Sequence, residues 1–399
     1  MPSDLVNPTQ PVLQPEPSIL AFAPIFLYFV VAGIATVMLG PLLPALIPQW
    51  HIQDAQAGSL FAASFAGQFT GAWISSCNLR GSIIYGAAIS AIGCCIMAFT
   101  GYPLAHIALF ALGIGIGAGL TAGNILVGTA FTASRARLLA NLNVAWGIGA
   151  ISCPLLVQAV GKDNTRTFFL ITASILALTG FYAITLPFTT QPSRPTDLSA
   201  QQANRQSLLP LPLPQLILFG IAIFLYVGIE NTLNGWLPTY AGRINPTAHT
   251  STIALTFWVA ELVGRVLVAA IMSIYTEAFL FRLCLGLLIL SQAALCIAAY
   301  LSIGSMIALT ALAAFTLAPL YPILLAFVLA HSGNHPRLGP FFALAALGGG
   351  LLPSLTGLIS TQRHNLRAGL IVPAAGCVLL LILSPRITQH PSAPPTPNQ

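Results

Sequence analysis

Glu230, Asn231 and Asn234 are the residues of this chain best suited to chemistry, because all three lie inside one long apolar run, 224–241. At about 100° per residue they fall within roughly a third of a helix circumference, with Val227 one turn below on the same face. An ionisable group near a bilayer centre costs about 2.5–3.5 kcal/mol on insertion scales, so it faces a bundle interior or a water-filled cavity. A carboxylate beside two amides can hydrogen-bond a polar solute, and the carboxylate can also take up and release a proton. Glu261 lies about 11 residues into the next apolar run, roughly 16 Å from its end. Arg265 follows at i+4, which puts the two on one helix face as a structural ion pair. Glu230 and Glu261 are therefore the ion-coupling candidates. With Arg265 paired, no spare cation in the core attracts an anion, so the expected solute is neutral.

Asn124 and Asn143 are the pocket-lining candidates from the first part of the chain, each close to glycine in an apolar run. Trp146 and Trp236 offer flat faces of the kind that stack on the C–H face of a sugar ring. For Trp236 a place in the interfacial aromatic belt is the competing reading. Gln68, Asn141, Gln158 and Gln292 read as interhelical hydrogen-bonding residues. Gly113, Gly115, Gly117, Gly119 and Gly123 do not match a dinucleotide or phosphate loop; their four-residue spacings are those of close helix packing. His331 and His335 lack a nearby third ligand, so no metal is expected. The seven cysteines sit in or at the ends of apolar runs and read as small buried residues. No nucleophile elbow, zinc-protease motif or nucleotide loop is present, which argues against an enzyme and against a cofactor.

These residues need a membrane scaffold to position them. Of 399 residues 56% are hydrophobic and 6% charged, against about 25% charged in an ordinary soluble domain. The net charge of +6 comes from scattered basic residues, which form no nucleic-acid patch. A window of about 20 residues predicts twelve spans, at 19–46, 56–78, 82–101, 104–131, 139–160 and 167–188, then 213–241, 250–273, 277–301, 303–330, 337–360 and 367–385. The fold class is an all-α integral membrane protein of two six-helix halves, 19–188 and 213–385, joined by a polar linker at 189–212. The N-terminus 1–18 and the Pro-rich tail 386–399 are expected to be disordered. The first 18 residues hold five prolines and no Lys or Arg, so the first span is expected to stay as a helix and not to be cleaved as a signal.

An internal repeat supports the two halves. Phe26-Leu27-Tyr28 recurs 198 residues later as Phe224-Leu225-Tyr226, and Gly149 and Pro154 recur 199 residues later as Gly348 and Pro353. Placing both termini in the cytoplasm puts eight basic residues inside and five outside, in the sense of the positive-inside rule. The expected location is the cell's inner (plasma) membrane.

Twelve spans in two related halves with polar residues at mid-membrane resemble the major facilitator superfamily. Within it, Tyr226-Val-Gly-Ile-Glu230 with Asn234-Gly-Trp236-Leu-Pro-Thr-Tyr240, Phe257-Trp258 with Gly264-Arg265, and Asn141-Leu-Asn143-Val-Ala-Trp146-Gly-Ile-Gly149 resemble the fucose permease-like branch. The resemblance implies alternating-access transport of a sugar or polyol, held by Glu230, Asn231, Asn234 and Trp236 from one half and Asn124, Asn143 and Trp146 from the other. The chain departs from the superfamily pattern between its second and third spans, where Gly71 to Gly81 contains no Asp. It also lacks the acidic residues that proton-coupled fucose permeases carry in their first and fourth helices. Coupling to a proton or to sodium, if present, then falls to Glu230 or Glu261. The expected partners are a small solute, that ion and the bilayer, with the protein a monomer. Export of amphipathic, drug-like metabolites is the alternative, and a non-transporting membrane sensor a lesser one.

Overall fold

A computed structural model describes residues 18–388, except 76–77, 132–133, 162–163, 187–212, 247–248, 272–273, 298–301 and 333–337. The predicted linker, the N-terminal segment before Ser18 and the tail beyond Thr388 lie outside the described residues, as do His335 and the side chain of His331. The described chain is helical throughout. A 3-10 turn, Ile19–Phe22, leads into α1 (Ala23–Val37), α2 (Leu39–Gln49), α3 (Asp54–Ile74), α4 (Leu79–Phe99), α5 (Ala105–Ala130), α6 (Arg135–Val160) and α7 (Thr165–Ala183). Then follow α8 (Leu213–Ile244), α9 (Thr250–Ile271), α10 (Glu277–Ile297), α11 (Ile303–Leu317), α12 (Leu320–Ser332), α13 (Leu338–Arg363), α14 (Leu366–Gly369) and α15 (Ile371–Ile387).

Pairs α1–α2, α11–α12 and α14–α15 are single passes interrupted by proline. Pro41, Pro322 and Pro373 each lack the N–H that would bond four residues back, and the interruption falls at that turn. Eleven helical stretches among the described residues are long and apolar enough to cross a membrane. The twelfth pass is α3, with 21 residues; Asp54, Gln56 and Gln68 make it more polar than the others, and it is shielded between α5 and α13. Helices run a few residues past the apolar runs, to Gln49, Ile244, Arg363 and Ile387, because backbone hydrogen bonding continues after the sequence turns polar.

Glycine sets how closely these helices approach. Gly113 and Gly117 of α5 lie on α3, Gly115 lies on α4, and Gly119 and Gly123 lie on Tyr28 and Phe29 of α1, which bears out the packing reading of that series. The two repeat-related glycines do matching work. A Cβ at Gly149 would fall 1.8 Å from the Val30 carbonyl oxygen of α1, and one at Gly348 would fall 2.0 Å from the Phe224 carbonyl oxygen of α8. Neither backbone can yield to a methyl group. Gly149→Ala is therefore expected to destabilise the protein by about 1–3 kcal/mol or more. Gly286→Ala, where nothing lies within 4 Å, is expected to be neutral or stabilising by up to about 1 kcal/mol through helix propensity. Thermal unfolding in detergent separates the two; equal melting temperatures would refute the packing argument.

The first six passes meet the last six along three lines: α2 on α8, α3 on α13, and α6 on α9. The end of the bundle that carries residues 50–53, 245–246 and 364–365 is called the distal end below.

Candidate functional site

Glu230 sits where α8 crosses α9, and its partner is on the neighbouring helix. Arg265 Nη2 donates to Glu230 Oε1 at 3.1 Å and to Glu261 Oε1, so one guanidinium nitrogen bridges two carboxylates. Tyr226, one turn below Glu230 on α8, donates its hydroxyl to the same Glu230 Oε1 at 3.1 Å. The Tyr226 ring lies 5.3 Å from that of Tyr321 on α12. The Glu261–Arg265 pair read from i,i+4 spacing is present, extended by Glu230 into a three-membered cluster. Two carboxylates face one guanidinium, leaving one acidic group in surplus. The Arg265 side chain is 29% exposed and Glu261 1%, so the cluster meets open space through its cation and buries the carboxylate behind it. Glu261 Oε2 and Arg265 Nε are buried with no hydrogen-bond partner among the described residues.

The repeat diverges here. Tyr28, which matches Tyr226, donates to the Gly115 backbone carbonyl at 2.7 Å and ties α1 to α5. The same residue type serves packing in the first six passes and orients an acid in the last six.

The remaining candidates scatter. Asn231 is buried and spends its Nδ2 on the Val227 carbonyl at 2.9 Å. Asn234 is buried against α2: Pro238 has no N–H for the Asn234 carbonyl, and a Cβ at Gly40 would come within 2.5 Å of that oxygen. Its Oδ1 has no hydrogen-bond partner among the described residues. Trp236 is fully buried, donates Nε1–H to the Pro353 carbonyl at 3.0 Å, and lies 6.4 Å from the Phe61 ring. Neither its ring face nor its N–H is free for a solute in this conformation. Asn124 and Asn143 are exposed and donate to Leu120 and Leu139 of their own helices at 3.0 and 3.1 Å; no described contact joins them to the Glu230 cluster. Trp146 does reach across, edge-on to Trp258 of α9 with ring centroids 5.4 Å apart.

A second polar cluster clasps the distal end. Arg243 of α8 donates from Nη1 to Asp54 Oδ2 at 2.7 Å and from Nη2 to Oδ1 at 2.5 Å, while Ser360 of α13 donates to Oδ2 at 2.5 Å. The Ala55 N–H donates to Thr361 Oγ1 at 2.8 Å, and Ser354 donates to the Gly58 carbonyl at 2.8 Å. Sequence reading missed Asp54, Arg243 and Ser360 because each stands near a helix end, where polar residues ordinarily face solvent. At the opposite end Arg80, in the altered segment 71–81, donates to the Ile184 carbonyl of the sixth pass at 2.5 Å.

Comparison with known proteins gives the fold a family. The chain matches the family model described as Major Facilitator Superfamily over residues 25–338. It is 24% identical over 270 residues to Bypass of stop codon protein 6 of Saccharomyces cerevisiae, covering 59% of this chain and 54% of that protein, so it spans about half the length of the curated relative it matches. Among solved structures it superposes on the nucleoside transporter NupG with a TM-score of 0.73 at 14% identity, covering 93% of this chain and 100% of that one. On the E. coli fucose:proton symporter FucP the TM-score is 0.61 at 17% identity, with 93% and 99% covered. A family model that spans most of the chain, on a bundle of twelve passes with a charged cluster between its seventh and eighth, identifies this protein as a member of the major facilitator superfamily.

Proposed function

We propose that the protein carries a small uncharged polar solute, a sugar or a polyol, by alternating access, with a proton as the coupling ion. The observation that carries this reading is Arg265 Nη2 shared between Glu230 and Glu261 in mid-bundle. An anionic solute would have to compete with two carboxylates for one guanidinium. A neutral solute can hydrogen-bond the Arg265 and Asn231 side chains without disturbing the charge balance. The surplus carboxylate supplies the coupling: one proton on the Glu230–Glu261 pair brings the cluster to neutrality, which is the favourable condition at membrane depth. The nucleoside and fucose transporters that share the fold give the sugar reading support, since both solutes carry hydroxylated rings.

The distal clasp and the Trp146–Trp258 contact join the first six passes to the last six, and rocking of one set against the other would alternately expose the site. Under this reading both termini lie in the cytoplasm, the membrane is the plasma membrane, the protein works as a monomer, and 189–212 is a linker between the halves. The surplus carboxylate also favours a second reading, export of a cationic amphipathic metabolite paired to Glu230.

Counterflow in proteoliposomes decides between them, because exchange needs no knowledge of the driving ion. The expected result is accumulation of a labelled sugar or polyol from a panel of hexoses, deoxyhexoses, pentoses and sugar alcohols, with no exchange of cationic compounds. Exchange of the cations alone would transfer the assignment to the exporter. Glu230→Gln leaves one carboxylate and one guanidinium, already balanced, so counterflow should persist while accumulation driven by an imposed proton gradient collapses to equilibration. Proton-driven accumulation at the wild-type level in that variant would refute the coupling role, and accumulation driven only by a sodium gradient would reassign the ion.

A further inference from the structure

Trp258 and Glu261 hold two polar atoms for which no described residue supplies a hydrogen-bond partner. Trp258 Nε1 and Glu261 Oε2 are both buried without a hydrogen-bond partner, in side chains 4% and 1% exposed. Leaving such an atom unmet costs about 1–3 kcal/mol, and native structures keep few of them. The two residues stand three apart on α9, so their side chains share a helix face with Cβ atoms about 5–6 Å apart. One atom is a donor only. The other, on a carboxylate whose Oε1 is already bonded to Arg265, is an acceptor.

We infer that Trp258 and Glu261 form a subsite for one hydroxyl group of the transported solute, covered in this conformation by Trp146. A hydroxyl group accepts a hydrogen bond from the indole N–H through its oxygen and donates one from its O–H to Glu261 Oε2. An ammonium group can only donate and an ether oxygen can only accept, so neither satisfies both atoms. The cover is the Trp146–Trp258 edge contact, at an interplanar angle of 79°, with the Phe257 ring centroid 5.3 Å from that of Trp258. Trp146 belongs to the first six passes and Trp258 to the last six, so the rocking that exposes the site also slides Trp146 off the subsite. The indole faces then line the ring of the solute whose hydroxyl is bound. This subsite rests on the sugar or polyol reading and narrows it to solutes with a hydroxyl placed to span the indole N–H and the carboxylate.

The test crosses a solute series with loss of a single N–H. Half-saturation of counterflow is measured for each exchanged hexose or polyol and for its singly deoxygenated analogues, in the wild type and in Trp258→Phe. In the wild type, one deoxygenation should weaken the solute about tenfold more than the others. In Trp258→Phe the parent solute should weaken about tenfold, and that same deoxygenation should cost nothing further. Should the phenylalanine variant fail to fold, benzothienylalanine incorporated at position 258 keeps the bicyclic shape and removes only the N–H. Equal deoxygenation losses in both proteins would overturn the subsite and leave an internal water as the partner of the two atoms, with sugar transport intact. Absence of exchange for every hydroxylated solute in folded wild type would overturn the sugar reading, and the subsite with it.

Discussion

Arg265→Met is expected to abolish transport and to destabilise the protein by about 3–5 kcal/mol, the cost of removing one partner from a buried ion pair. The size follows from sharing: Glu230 and Glu261 both rely on Arg265 Nη2, and no other salt bridge described in the structure reaches either acid. With the cation gone, two carboxylates face each other between α8 and α9. Thermal unfolding in detergent reads the loss, and counterflow reads the activity. The triple variant Glu230→Gln, Glu261→Gln, Arg265→Met replaces the charged cluster with neutral groups of similar volume and should regain most of the lost stability, because apolar or neutral replacement of a buried cluster is commonly tolerated. It should stay inactive in proton-driven uptake, having nothing to titrate. Wild-type melting of the single variant would refute the shared-cation account, and failure of the triple variant to recover would make Arg265 a packing residue instead. Lysine at 265 is an informative intermediate. Both acids are met by one nitrogen, so an ammonium preserves the charge, yet it lacks the planar fork.

The separate weight of Glu230 and Glu261 was legible in the sequence because acids in apolar runs are conspicuous. So was the ion pair at i,i+4, since helical periodicity fixes which residues share a face. Periodicity does not say which neighbouring helix that face meets. Glu230 finds Arg265 thirty-five residues away, and Tyr321, whose ring lies beside Tyr226, had no signal beyond being an aromatic between two prolines. The expected polar stripe of Glu230, Asn231 and Asn234 shows the limit. Glu230 turns to α9, whereas Asn234 lies against Gly40 of α2 at a carbonyl that Pro238 leaves without its helical donor. Trp236 looked available for stacking because nothing in its vicinity revealed that Pro353 would arrive to accept its N–H.

Under the proposed function the two polar clusters would divide the labour of alternating access. The central one would carry the charge that a coupling ion balances, and the distal one would hold one end shut. They sit on the same helix, α8, thirteen residues apart at Glu230 and Arg243, which at 1.5 Å per residue is about 20 Å along its axis. Under that reading a change in the central charge that shifts α8 against α3 would act on the clasp along α8, a lever whose weak point is Pro238. Trp236 and Asn234 lie on the stretch between and pack against α13 and α2, so a displacement of α8 would have to carry those contacts with it.

Asp54→Asn tests that lever from its far end. Asp54 is 7% exposed and accepts three hydrogen bonds, two from Arg243 and one from Ser360. The amide keeps the shape and loses the charge, so the bidentate pairing with Arg243 is lost while α3 retains its capping box at Gln53 and Gln56. Arg243 is 41% exposed, and solvent screening trims the value of the pair. A net loss of about 1–2 kcal/mol remains, enough to change a two-state population about 5- to 30-fold. Pulsed dipolar spectroscopy between spin labels at Leu104→Cys and Gln362→Cys, one on each side of the distal end and neither in the clasp, should show a longer distance gaining weight by that factor. Counterflow should slow in parallel, because a carrier that closes poorly at one end spends less of its cycle able to open at the other. An unchanged distance distribution in a folded Asp54→Asn protein would mean that the close backbone contacts of α3 with α13, where a Cβ on Gly357 would meet the Asp54 carbonyl oxygen at 2.2 Å, hold the distal end without help from charge.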